Sequence, residues 1–234
     1  MSKLKQFFRS FTGFEWALWI GSVAVTVAAF LLTGNTQYYY LFGSVLGATA
    51  LILVSKGNVA GQILVVFFSI FYAAVSYRLR YFGEMITYLG MSLPIAVVAV
   101  VTWLKNPFRG NKTEVTVNHI SALEYVLLVL GGIAVTVAFY FILRALNTAN
   151  LILSPVSVFT SFLAAYLTMR RSPFYAIGYA MNDVVLILLW VLAAMQSAEY
   201  LSMVICFFVF LANDLYGFCL LYTSDAADEA RSVD

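Results

Sequence analysis

Charged residues are what this chain has least of. Only 10% of its 234 residues are Asp, Glu, Lys or Arg, while 63% are hydrophobic, and the mean hydropathy is +0.92. Soluble domains carry roughly 25% charged residues, so the composition excludes a soluble globular class and indicates an integral membrane protein. Cysteine is nearly missing as well. Cys206 and Cys219 are the whole set, too few for a disulfide framework or a thiolate metal site. His119 is the single histidine, which removes His-cluster metal chemistry and any Ser-His or Cys-His catalysis within the membrane; in its polar loop it reads as a solvated residue. There is no P-loop, so built-in ATP hydrolysis is not expected, and neither is a cofactor. The net charge of +2 comes without a basic cluster interleaved with exposed aromatics, so nucleic acid is not an expected partner.

What is present is a series of apolar runs. A bilayer core about 30 Å thick takes about 20 helical residues, and the runs at 15–33, 38–54, 59–79, 84–103, 121–145, 149–169, 173–195 and 199–221 fit that ruler. Eight spans are therefore expected, the second being the shortest. In residues 1–14, Leu4, Phe7, Phe8, Phe11 and Phe14 recur at helical spacing with Lys3, Lys5 and Arg9 between them. That pattern predicts an amphipathic helix lying on the membrane surface. Because further spans follow at once, it is not read as a cleaved signal. Lys and Arg favour cytoplasmic loops. Placing both termini inside puts Lys56, Lys105, Arg109, Lys112, Arg170 and Arg171 on the same side as the N-terminal cations, and only Arg78, Arg80 and Arg144 outside.

The first and fifth spans echo each other. Glu15-Trp16 and Ala24-Val-Thr-Val-Ala28 recur as Glu124-Tyr125 and Ala134-Val-Thr-Val-Ala138, with a weaker echo of Gly83-Glu84-Met85 in Ala198-Glu199-Tyr200. A four-span unit used twice re-enters the membrane in one orientation, which predicts parallel repeats about an axis along the membrane normal, with solute bound between the halves.

Two late spans carry buried polarity. Asn182-Asp183 and Asn213-Asp214 lie well inside apolar segments, where an ionised side chain costs roughly 2.5 to 3.5 kcal/mol. If the helices are antiparallel neighbours, both pairs sit about 11 to 14 Å from the cytoplasmic face. Amides, carboxylates and nearby rings suit a cationic, flat, hydroxyl-bearing solute. The candidate binding set is Asn182, Asp183, Trp190, Asn213, Asp214 and Tyr216, with Gln62 from the first half. The bland alternative is that each Asp braces the bundle through hydrogen bonds to neighbouring helices. A chemical alternative is an intramembrane enzyme using Asp183 and Asp214 as an acid-base pair. Pro94 removes a backbone hydrogen bond and predicts a kink in the fourth span.

Three stretches carry a resemblance: Gly83-Glu-Met-Ile-Thr-Tyr-Leu-Gly-Met-Ser-Leu-Pro94, Ala165-Tyr-Leu-Thr-Met-Arg-Arg-Ser-Pro-Phe-Tyr175 leading to Asn182-Asp183, and Asn213-Asp-Leu-Tyr-Gly-Phe218. In these, and over nearly its whole length, the chain resembles the PnuC family of bacterial nicotinamide riboside transporters. The resemblance implies an all-α polytopic fold like that of SWEET sugar transporters. Residues 38–103 and 149–221 would form two three-helix bundles, 121–145 the linker helix and 15–33 an extra N-terminal span. It also implies facilitated diffusion of nicotinamide riboside across the bacterial inner membrane, trapping by a cytoplasmic kinase, and a homotrimer. A transporter of the same fold for another vitamin or a sugar is the alternative. The family pattern continues after Phe218 with Asn-Trp, whereas the run from Cys219 to Glu229 looks like translated sequencing-adapter DNA. Residues 219–234 are therefore expected to be a non-native tail.

Overall fold

The computed structural model describes residues 11–34, 36–78, 82–108, 111–148 and 150–232. Helix α1 (Gly13–Leu32) starts on a capping box, in which the Thr12 hydroxyl accepts from the Glu15 N–H and the Glu15 carboxylate accepts from the Thr12 N–H. Such reciprocal bonds satisfy two of the backbone donors a helix start leaves open. There follow α2 (Tyr38–Ser55), α3 (Val59–Arg78), α4 (Phe82–Thr87), a π-helical turn (Tyr88–Ser92), α5 (Leu93–Lys105), α6 (Ala122–Ala145), α7 (Leu153–Met169), α8 (Tyr175–Ala194) and α9 (Leu201–Ser232). Among the described residues seven helical stretches are long and apolar enough to cross a membrane, α4 through α5 counting as one, and α7 is a shorter apolar eighth. The amphipathic segment expected at 1–14 lies outside the described residues, apart from 11–14.

Pro94 does not simply kink the fourth span. Without an N–H it cannot bond the carbonyl four residues back, and just before it the chain widens by one residue, so that the Leu93 N–H bonds the Tyr88 carbonyl. The connection between α5 and α6, read from sequence only as a polar loop, holds a short antiparallel hairpin of β1 (Pro107–Phe108) and β2 (Asn111–Val115). The Val115 N–H bonds the Gly57 carbonyl and the Asn118 N–H bonds the Arg171 carbonyl, so this one connection grips the turns after both α2 and α7.

Six spans close a ring. α2 packs on α3, α3 on α5, α5 on α7, α7 on α8, α8 on α9, and α9 back on α2. Outside it, α1 rests on α2 and α9, and α6 rests on α7. Glycines set the closest approaches: a Cβ on Gly61 would stand 2.5 Å from the Val54 nitrogen, and one on Gly178 2.9 Å from the Ala164 Cα.

The internal echo is structural. The bonds Gly57 N–H to Val54 O and Asn58 N–H to Leu53 O after α2 recur as Arg171 N–H to Thr168 O and Ser172 N–H to Leu167 O after α7. Gly57 and Arg171 occupy the left-handed region at φ 64° and 61°. Glycine adopts that conformation freely, whereas arginine does so against steric cost. Each turn is also held by an ion pair. Lys56 donates to both Glu15 oxygens at 2.7 and 2.8 Å, and Arg170 makes a two-bond contact with Glu124, whose helix Ser121 caps. The Glu124 carboxylate holds the Arg170 guanidinium above its ordinary range, while partial burial and the Arg170 charge lower Arg171.

Candidate binding cavity

The ring encloses a hollow of about 160 Å³. Its second-half wall is polar. On α7, Ser157, Thr160 and Ser161 stand at i, i+3 and i+4, so they share one helix face. All three hydroxyls reach the Asn182 Oδ1, at 3.3, 2.9 and 2.9 Å. With its oxygen so occupied, the Asn182 side chain has its two N–H donors left for a ligand, and the residue lines the hollow. Asp183 on α8 and Asp214 on α9 line it too. One oxygen of each is buried with no protein partner among the described residues. Tyr179 and Thr168 complete this side, and Gln62 joins from α3.

Of the seven residues expected from sequence, Gln62, Asn182, Asp183 and Asp214 meet at the hollow. Asn213, Trp190 and Tyr216 do not, and helix geometry gives the reason. Successive residues turn about 100° around the axis, so with Asp214 inward its neighbour Asn213 points toward α1. There its amide donates to Ser22 Oγ and to the Val209 carbonyl. Tyr216, about 200° from Asp214, packs its ring on Phe14 at 5.1 Å. Trp190 lies two turns beyond Asn182, and the drift of about 80° over eight residues brings it against Phe207, with the rings nearly parallel at 18°, and against Tyr200. Tyr216 and Trp190 are therefore packing residues, and Asn213 locks α9 to α1.

Sequence reasoning missed Ser157, Thr160 and Ser161, although three hydroxyls on one face of an apolar helix were a legible signal. It also missed the first-half wall, where Ser44 and Ser69 are joined by Phe68, Tyr72 and Tyr88.

On the face carrying the Lys56 and Arg170 turns the hollow is sealed by two bonds between the halves. The Tyr175 hydroxyl donates to the Val54 carbonyl at 2.9 Å, and the Trp103 indole N–H donates to the Thr168 carbonyl at 2.9 Å. Val54 and Thr168 are the corresponding residues of the two repeats.

A closed ring of membrane-spanning helices around a partly polar hollow, bonded across at one end, is the architecture of a membrane transporter. The chain belongs to the nicotinamide mononucleotide transporter family, which it matches over residues 37–221. It is 24% identical over 218 residues to the nicotinamide riboside transporter PnuC of Neisseria mucosa, covering 92% of this chain and 82% of that protein. Its fold is similar to that of a crystal structure described as the vitamin B3 transporter PnuC, with a TM-score of 0.77 at 22% identity over 91% of this chain and 92% of that one.

Proposed function

We propose that this transporter carries nicotinamide riboside into the bacterial cytoplasm by facilitated diffusion, for use in NAD synthesis. The observation that carries the reading is Asn182, its oxygen held by three hydroxyls and its side chain on the hollow. A fixed amide of this kind suits a carboxamide or ribose hydroxyls. The Asp183 and Asp214 pair supplies negative potential for a pyridinium ring, and Gln62 offers a second amide from the opposite half. Transport needs no chemical step, only a site open to each side in turn. The carboxyls are assigned to the solute's charge, and no acid-base reaction is assigned to them.

The helices divide, in this reading, into bundles at 38–103 and 149–221 with 121–145 as linker and 15–33 as an additional span; the recurring turns after α2 and α7 support it. Both termini lie in the cytoplasm of a cell whose inner membrane holds the protein, on the side of Lys56, Lys105 and Arg170. A cytoplasmic kinase traps the solute by phosphorylation. The protein assembles as a homotrimer; support comes from α6, which rests on α7 alone among its stronger contacts and turns Leu123, Leu127, Leu130 and Phe141 outward.

Counter-flow of labelled nicotinamide riboside in liposomes tests the function. The parent exchanges it, and Asn182→Ala slows exchange on the order of tenfold, the equivalent of about one good hydrogen bond. Full exchange by the variant would remove Asn182 from the site, and a parent that exchanges only sugars or other vitamins would replace the substrate.

A further inference from the structure

The two walls of the hollow are weighted differently. The second half brings Asn182, Asp183, Asp214 and hydroxyls beside Phe207 and Phe210, whereas the first half, with Gln62, Ser44 and Ser69, brings the greater share of rings, among them Phe68, Tyr72 and Tyr88. Phe68 and Tyr72, one turn apart on α3, have ring centroids 5.6 Å apart. Tyr88, from the π-helical turn, lies 4.5 Å from Tyr72 and 6.0 Å from Phe68, crossing the latter at 68°. All three line the hollow, and all three are only partly buried.

The backbone is irregular at this wall. π-Helical turns are rare and concentrate at functional sites. This one lies between α4 and α5, ending two residues before Pro94, and its first and last residues, Tyr88 and Ser92, both reach the hollow. A cluster of three mutually contacting rings, lining the same hollow as two carboxyls from the other half, matches a flat, delocalised cation. Ring faces attract such a cation electrostatically, and more strongly where water is excluded.

We propose that Phe68, Tyr72 and Tyr88 form the specificity-determining subsite on which the solute's cationic ring stacks. The hydroxyl-bearing end then faces Asn182 and Ser161. The solute is thus oriented across the two halves, ring toward the first and sugar toward the second. This inference rests on the substrate reading given above and adds the residues that select for ring charge.

The test compares nicotinamide riboside with its reduced form, which keeps the sugar and carboxamide but has an uncharged dihydropyridine ring. Calorimetric titration of the purified full-length protein is expected to give affinity for the charged form about tenfold above that for the reduced form. In Tyr72→Leu and Tyr88→Leu that preference falls severalfold, leaving only the part due to Asp183 and Asp214; Tyr72→Phe and Tyr88→Phe, which keep the ring face, retain it in full. Leucine variants with parent-like thermal unfolding that keep the parent's full preference for the charged form would overturn the subsite. So would a parent that binds both forms equally, a result that needs no variant to fold. A parent that binds neither form sinks the substrate reading along with the subsite, whereas binding without discrimination sinks the subsite alone.

Discussion

Within one helix turn, α9 gives two polar residues opposite duties. Asp214 borders the hollow, and Asn213 beside it reaches Ser22 on α1 with its amide nitrogen while its oxygen stays buried without a partner among the described residues. Replacing Asn213 with Ala should therefore cost stability and not affinity. The expected loss is about 0.5 to 2 kcal/mol, the range of interhelical hydrogen bonds in membranes, seen as a lower unfolding temperature in detergent with an unchanged Kd for nicotinamide riboside. Weakened binding at unchanged stability would return Asn213 to the site. The composition made these residues conspicuous, because polar side chains in apolar segments stand out. It did not say which way each points: a register error of a single residue swings a side chain about 100°, and only packing against α1 and α2 fixes the rotation. The aromatic wall was harder to see for the opposite reason. Aromatic residues occur in every span, so Phe68, Tyr72 and Tyr88 had nothing to distinguish them until the fold brought them together.

Helices and turns carry the repeat. Span positions were legible to within a few residues, since lipid demands an apolar length and turn residues mark the ends; Asn147 and Asn150, both at positive φ, push the start of α7 back to Leu153. The β1–β2 hairpin was not legible because its strands are short and face no core of their own. The matched ion pairs were half-visible as the Glu15 and Glu124 echo, but their partners Lys56 and Arg170 sit in loops that sequence spacing does not connect to a helix start. Glu15 is almost fully buried against Lys56. Lys56→Met should leave that carboxylate with the Thr12 N–H but without its counter-charge and cost about 3 to 5 kcal/mol. Thermal unfolding of the purified variant measures it, and restoration of most of the loss by adding Glu15→Gln would assign it to the stranded charge. A variant as stable as the parent would show that the Glu15 carboxylate finds water instead.

Across the whole molecule, each half supplies a bond acceptor to the other's aromatic donor, Val54 to Tyr175 and Thr168 to Trp103. The hollow's contour belongs to neither half: α9 closes on α2, and α5 on α7. A gene cut in two within the hairpin connection should consequently encode fragments that are each inert, lacking an enclosed lumen, yet regain uptake when produced in the same cell. Complementation by co-expressed fragments would register this, and uptake by either fragment alone would contradict it. The recurring turns after α2 and α7 mark two subassemblies that are incomplete apart, and the enclosed lumen is a property of their seam.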